Sequence, residues 1–179
     1  MMGHRIMIAA MLGLGLAAAP AGAQTASSTP PAASRATAEA EIAVVLRDVY
    51  AVISGPKGQA RNWARMRTMF TPDARLTSIG DKGLSGGTLD NFITKAGPYQ
   101  TRIGFVEREL VHRVEIYGDL AHAWSSYEGT GDGGKLKVSG INSFQLVRQN
   151  GRWLVQSIFW QAESPARPLP ADMLPAGAK

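Results

Sequence analysis

The chain contains no cysteine. That excludes a disulfide framework, a thiol nucleophile, thiolate-bound zinc or iron–sulfur clusters, and a lipidated cysteine. Three histidines in 179 residues leave little material for a histidine-rich metal site, and no metal site is expected. There is no block of like charge: the net charge of +5 is spread over Arg35, Arg61, Arg65, Arg67, Lys135, Lys137 and others. A nucleic-acid surface needs clustered cations, usually interleaved with aromatics, so no nucleic-acid partner is expected and these side chains read as a solvated cationic surface. The glycines of Gly80-Asp81-Lys82-Gly83 and Gly86-Gly87 lack a following Lys-Ser/Thr, so they do not form a phosphate loop. No serine-centred nucleophile elbow is present. What remains is 45% apolar and 18% charged, enough to bury one core.

Residues 1–23 read as a secretory signal. Arg5 gives a positive start, Ile6 to Ala19 is uncharged and apolar, Pro20 breaks the run, and Ala21-Gly22-Ala23 suits cleavage before Gln24. The apolar run is short for a membrane span, and there is no cysteine to acylate, so no stable membrane anchor is expected. The expected location is periplasmic or secreted. Residues 24–38, rich in Ser, Thr, Ala and Pro, read as a flexible leader. Residues 39–163 form the folded domain, and residues 164–179, with Pro165, Pro168, Pro170 and Pro175, form a tail that can be neither regular helix nor central strand.

Within the domain, Ile42, Val45, Leu46, Val49, Tyr50 and Ile53 recur at helical spacing, predicting a helix over Glu39–Ser54 with Thr37 as its cap. Ser54-Gly55-Pro56 ends it. A second helix is predicted from Gln59 to Phe70, a strand over Asp73–Ile79, a loop over Gly80–Gly87, and a short helix from a Thr88 cap to Lys95. Four strands follow at about 104–117, 120–130, 136–149 and 152–163. Gly118-Asp119 and Asn150-Gly151 are their tight turns. Helices first and antiparallel strands last make an α+β fold.

Register counted outward from the turns sorts the side chains. In the first hairpin it places Arg108, Leu110, His112, Val114, Ala123, Ser125 and Tyr127 on the face toward the helices, and Glu109, Arg113 and Trp124 on the other. In the second it pairs Phe144 with Ser157 and Asn142 with Phe159, with Trp153 and Gln161 on the same inner face. That leaves Trp124, Ile158 and Trp160 on an outer face too apolar for water, where a homodimer interface is expected.

Three segments carry a family resemblance. Phe70-Thr71-Pro72-Asp73-Ala74-Arg75-Leu76 after a helical pair, Tyr117-Gly118-Asp119-Leu120-Ala121-His122-Ala123-Trp124, and Gly140 to Arg148 followed by Asn150-Gly151-Arg152-Trp153-Leu154-Val155 resemble the motifs of nuclear transport factor 2-like domains, the group that includes SnoaL-like and ketosteroid-isomerase-like proteins. The resemblance spans residues 39–163. It implies a cone-shaped α+β barrel: N-terminal helices on a curved, mixed but mainly antiparallel sheet, enclosing a pocket. It also implies frequent dimerisation through the outer sheet face. It does not select an activity. In the resembling isomerases a carboxylate base lies five residues beyond the aspartate of the first motif. Here that position is Ser78, which argues against ketosteroid isomerase chemistry.

The reading is therefore an exported, homodimeric domain that binds a small apolar or amphipathic molecule without a cofactor. Arg108, Ser125, Asn142, Ser157, Phe159 and Gln161 are its expected ligand contacts. The alternative is a cofactor-independent isomerase, dehydratase or cyclase. It would use His112 as acid or base, with Tyr50 or Tyr127 steadying an oxyanion, and no carboxylate is expected beside His112. A third reading is a protein-interaction module whose pocket is filled by its own side chains.

Overall fold

The computed structural model describes residues 32–177. The secretory signal and most of the leader lie outside the described residues. Helix α1 runs over Ala32–Ile53, α2 over Trp63–Arg67 and α3 over Leu89–Ile103. The strands are β1 Phe70–Gly80, β2 Gly83–Thr88, β3 Val106–Tyr117, β4 Leu120–Gly131, β5 Leu136–Gln149 and β6 Arg152–Ala162. They form one sheet in the order β2-β1-β6-β5-β4-β3. Only β1 and β6 are parallel, so the sheet is mixed and mainly antiparallel. It is open rather than a closed barrel, with β2 and β3 as its edges.

Helix α1 begins inside the segment expected to be a flexible leader. Its first turns are alanine-rich, and alanine is the strongest helix former. An Arg35–Glu39 ion pair one turn apart, at 3.0 Å, adds a little support. Thr37 consequently lies within the helix, not at its cap. The expected stripe is the buried one: Ile42, Leu46, Val49, Tyr50 and Ile53 face the sheet. The second helix is one short turn, because β1 starts at Phe70, three residues ahead of its expected start. The glycine segment expected to be a loop instead pairs back on β1, Gly80 opposite Gly83, as the edge strand β2. Thr88 caps α3 as expected, with Asn91 completing a capping box. The helix then continues through Pro98 to Gly104, whose left-handed φ of 66° ends it.

Two bulges decide the faces of the sheet. Glu109 pairs with Tyr127 and Val111 with Ser126, so Leu110 is an extra residue in β3. Gln145 pairs with Ser157 and Leu146 with Val155, so Gln156 is an extra residue in β6. A single inserted residue inverts the faces beyond it. Near the turns the expected register holds: Tyr117 opposes Leu120 and His112 opposes Ser125. Beyond the bulges it does not. Glu107 and Glu109 turn inward, and Arg108 turns outward to pair with Glu128 at 2.6 Å. Asn142 opposes Trp160, not Phe159. Ile158 and Trp160 therefore belong to the inner face and cannot be outer-face dimer residues. Ser157, Phe159 and Gln161 point outward.

Arg61, expected on the solvated surface, is 7% exposed. Its guanidinium donates to the carbonyls of Ile53, Gly55, Gln59, Gln100 and Phe105 at 2.7–3.4 Å. It thus binds the last turns of α1 and α3 to the start of β3. The C-terminal segment crosses the outer side of the sheet. Met173 is buried there, its carbonyl accepting from Ser126 Oγ at 2.6 Å, and Asp172 pairs with Arg113 at 3.0 Å.

Candidate functional site

The hollow of the sheet and the three helices enclose a cavity of about 530 Å³. Helix α3 supplies Phe92, Ala96, Tyr99 and Gln100, a spacing that brings one helical face to the wall. Strands β1 and β6 add Leu76, Ser78, Ile158 and Trp160, and Phe92 meets Trp160 edge-on at 6.3 Å. The polar groups are few: Tyr50, Glu107, Tyr127 and Asn142 near one another, Tyr99 and Gln100 on the helix and Ser78 on β1. Gln100 Oε1 is buried and has no hydrogen-bond partner among the described residues.

Glu107 is positioned by its backbone. Ser54, just after α1, donates its hydroxyl to the Glu107 carbonyl at 2.9 Å and accepts from the Glu107 N–H at 2.8 Å. One turn earlier on α1 is Tyr50, so this clamp sets the tyrosine and the carboxyl in one wall. The Glu107 side chain is only half-buried because it faces the hollow, yet protein surrounds it on the other sides. Burial pushes its carboxyl up to about 7, eased by a hydrogen bond from Asn142. That brings its ionisation toward neutral pH, the range in which a carboxyl can act as an acid or a base. Burial also raises the Tyr50 and Tyr127 hydroxyls above the usual phenol range, so both stay protonated.

Behind that wall lies a chain of hydrogen bonds. Asn142 Nδ2 donates to Tyr50 Oη at 2.9 Å, and Tyr50 Oη meets Ser125 Oγ at 2.7 Å. Ser125 Oγ donates to Glu109 Oε1 at 2.6 Å, and Glu109 Oε2 meets His112 Nδ1 at 2.9 Å. The Glu109 hydrogen bond raises the proton affinity of His112 against the opposing effect of burial.

No known family profile matches the sequence, and no curated protein matches it. Solved structures do match. A hexachlorocyclohexane dehydrochlorinase LinA-type3 from Novosphingobium barchaimii LL02 is 15% identical, with a TM-score of 0.60 over 74% of this chain and 90% of its own. A candidate scytalone dehydratase from Novosphingobium aromaticivorans DSM 12444 is 10% identical, with a TM-score of 0.60 over 82% of this chain and 98% of its own. An NTF-2 like protein of unknown function from Silicibacter pomeroyi DSS-3 is 15% identical, with a TM-score of 0.53 over 72% of this chain and 98% of its own.

The fold is nuclear transport factor 2-like.

Within this nuclear transport factor 2-like fold, the oxyanion candidates Tyr50 and Tyr127 and the contact candidate Asn142 line the cavity. Ser125 lies one layer back, fully buried behind Tyr50. His112 does not reach the cavity. It sits two hydrogen bonds behind Tyr50's serine, and a carboxylate, Glu109, does stand beside it. Arg108, Ser157, Phe159 and Gln161 lie on the outer face, for the bulge reasons given above. The residue that turn-based register missed is Glu107. Counting by two from Phe105, the apolar residue next to the helix stop, would have found it: Phe105, Glu107 and Glu109 share a face. Ser78 borders the cavity from β1, and the Glu107 carboxyl borders it from β3.

Proposed function

We propose that the chain binds a small, largely apolar molecule in this cavity and exchanges a proton with it through Glu107, in isomerisation or elimination chemistry. One observation carries the reading: a carboxyl group whose proton affinity burial raises to about 7 faces a largely apolar hollow. Asn142 and Tyr127 are placed to hold a polar atom of the ligand, and the unpartnered Gln100 Oε1 suits a hydroxyl or N–H at its other end. The similar folds include proteins described as a dehydrochlorinase and a dehydratase, reactions that remove a proton as a leaving group departs. His112 enters this reading only through Tyr50.

The test needs a probe that asks only for a base in an apolar site. 5-Nitrobenzisoxazole is one: removal of its C3 proton opens the ring by N–O cleavage and releases a coloured phenolate. The expected kcat/KM rises with pH through a midpoint near 7, as Glu107 ionises. Glu107→Gln should lower it at pH 8 on the order of a hundredfold. Equal rates in the two proteins would overturn the catalytic assignment. Binding of the probe without turnover in either would favour the passive ligand-binding module, for which the apolar lining is the supporting observation.

We also propose export and self-association. The first rests on Arg5, the apolar stretch and Ala21-Gly22-Ala23. An intact mass beginning at Gln24 in a periplasmic fraction is the expected result. The second rests on the outer sheet face that Trp124 and Phe159 leave exposed.

A further inference from the structure

The hydrogen bonds behind the cavity run in one direction, and their direction has a chemical meaning. A serine hydroxyl has one proton. Ser125 gives its proton to Glu109 Oε1. The 2.7 Å contact between Ser125 and Tyr50 is then made with the Tyr50 proton, and Tyr50 Oη accepts from Asn142. At rest, every donor points away from the cavity toward Glu109, where His112 closes the chain. Ser125 is 0% exposed and Tyr50 4%, whereas the His112 side chain is 33% exposed. The chain therefore joins a hollow in the core to a histidine that solvent reaches.

We infer that Tyr50, Ser125, Glu109 and His112 form a proton relay, through which Tyr50 donates to a ligand atom in the cavity and is restocked from solvent at His112. This inference rests on the acid–base reading of the cavity but concerns a second proton carrier, separate from Glu107. Asn142, which lies beside Glu107 in the cavity wall, donates to Tyr50 through an amide N–H that is not a transferable proton, so it passes none between them. Tyr50 O–H turns from Ser125 and its proton goes to the ligand acceptor. Ser125 gives its proton to the tyrosine oxygen, and Glu109 passes the Nδ1 proton of the His112 imidazolium to Ser125. One proton enters the ligand, one leaves His112, and water reprotonates the imidazole. Tyr50 touches the ligand; Ser125, Glu109 and His112 act through it as positioning and relay residues.

The charged groups around His112 leave Glu109 as its partner. On β3, Arg108 is held by Glu128 of β4, Arg113 points to the other face and is held by Asp172 of the C-terminal segment, and Glu115 pairs in register with His122. From α1, Arg47 is taken by Asp48, and Tyr50 reaches Ser125. From β4, the group opposite His112 is Ser125 itself.

A tyrosine Cζ resonance reports the hydrogen bonding of its hydroxyl. The experiment is a pH titration of ligand-free, ¹³Cζ-tyrosine-labelled protein, with His112 followed in parallel by its imidazole nitrogens. A Glu107→Gln background removes the carboxyl that, among the described residues, lines the cavity and whose own titration would mimic the effect. The expected result is a Tyr50 inflection at the His112 midpoint, with Tyr117, exposed at the hairpin turn, flat over the same range. Ser125→Ala should abolish the Tyr50 inflection while His112 still titrates. His112→Gln should abolish it too, and serves alone if Ser125→Ala fails to fold. A Tyr50 signal flat across the His112 titration would overturn the relay. So would an inflection of equal size in Ser125→Ala, which would mean that the field of the imidazolium acts through space. Because no ligand is used, the relay can stand if the nitrobenzisoxazole test fails, and can fall if that test succeeds.

Discussion

The two ends of the curved sheet are built from the same strands and do different work. At the turn end, Ala121, Ala123, Leu146 and Val155 are buried with Ile42 and Leu46 of α1 in a closed apolar cluster. At the other end, past the bulges at Leu110 and Gln156, β3 to β6 hold Glu107, Tyr127, Asn142 and Trp160 around an open hollow. Apolar contact stabilises the first end. In the second, packing is given up to leave space, and a carboxyl group is kept at a cost in stability. A bulge suits the border between the two, since it bends the strand and re-aims every side chain beyond it.

Large-to-small changes should separate the ends most clearly. Leu146→Ala opens a void in a region with no space to collapse into, and should cost about 3 kcal/mol by chemical denaturation. Trp160→Ala removes more atoms, but from a wall that already borders a hollow, and should cost less. Equal or reversed losses would mean that the cavity end carries as much packing as the core end. Arg61→Met comes next. It removes a buried donor shared by five carbonyls, of which Gln100 and Phe105 keep backbone donors, and a loss of about 2–3 kcal/mol is expected. Because Gln100 and Phe105 line the cavity, ligand binding should weaken along with stability.

Glu107→Gln should act in the opposite direction, and only at high pH. The native carboxyl holds its proton more tightly than an unfolded one, its affinity raised from 4.5 to about 7. Its unfavourable contribution is therefore absent below pH 4.5, grows between pH 4.5 and 7, and is complete above 7. Glutamine should gain roughly 1–3 kcal/mol at pH 8 and almost nothing at pH 4. A gain independent of pH would show that Glu107 is not desolvated in the native state. His112 carries the opposite sign of partner effect. Its proton affinity is raised by Glu109, so its stabilising pairing is complete below its unfolded value of 6.5 and is lost as pH rises through the native value. The two effects together should make the protein measurably less stable at pH 8 than at pH 5.

The contrast between the ends also explains what was legible in the sequence. The α1 stripe, the Thr88 cap, the two tight turns and the pairing next to them follow from local chemistry: helical spacing, a capping side chain, turn residues. Those signals fix the core end. The cavity end depends on two inserted residues, Leu110 and Gln156, and neither bears a mark. There is no glycine or proline at either position, and the blocks around them (Glu107-Arg108-Glu109 then Leu110-Val111; Trp153-Leu154-Val155, Gln156-Ser157, Ile158-Phe159-Trp160) do not say where a residue is inserted. Leu110 is accommodated because Ser126 Oγ accepts from the Val111 N–H at 3.1 Å, and Gln156 because its side chain accepts from Thr71 Oγ1 at 2.9 Å, contacts made across the sheet. Tyr50, Tyr127, Ser125 and Asn142 fall on the inner face, where register counting puts them, because they lie on α1 or on strands without the insertion at that point. Glu107, Glu109, Trp160 and Phe159 were placed on the wrong side, or passed over, because they lie beyond one.

The smallest effect on stability should come from the outer face, and there the bulges make a sharp distinction between two tryptophans. Trp124 pairs in register with Arg113 and Ser143 and is 46% exposed, close to exposed Phe159 and to the segment Arg167–Pro170. Trp160, one strand further on, faces inward against Phe92. If copies of this chain meet through the outer face, Trp124→Asp should convert a dimer to a monomer in sedimentation while changing the unfolding midpoint of the protomer little. Trp160→Asp should leave the sedimentation unchanged and damage the cavity instead, lowering ligand binding and stability together. A dimer that survives Trp124→Asp would remove the outer face as the interface. A dimer that Trp160→Asp breaks without loss of stability would mean that β6 presents its other side, which the Gln156 bulge and the pairing of Asn142 with Trp160 do not allow.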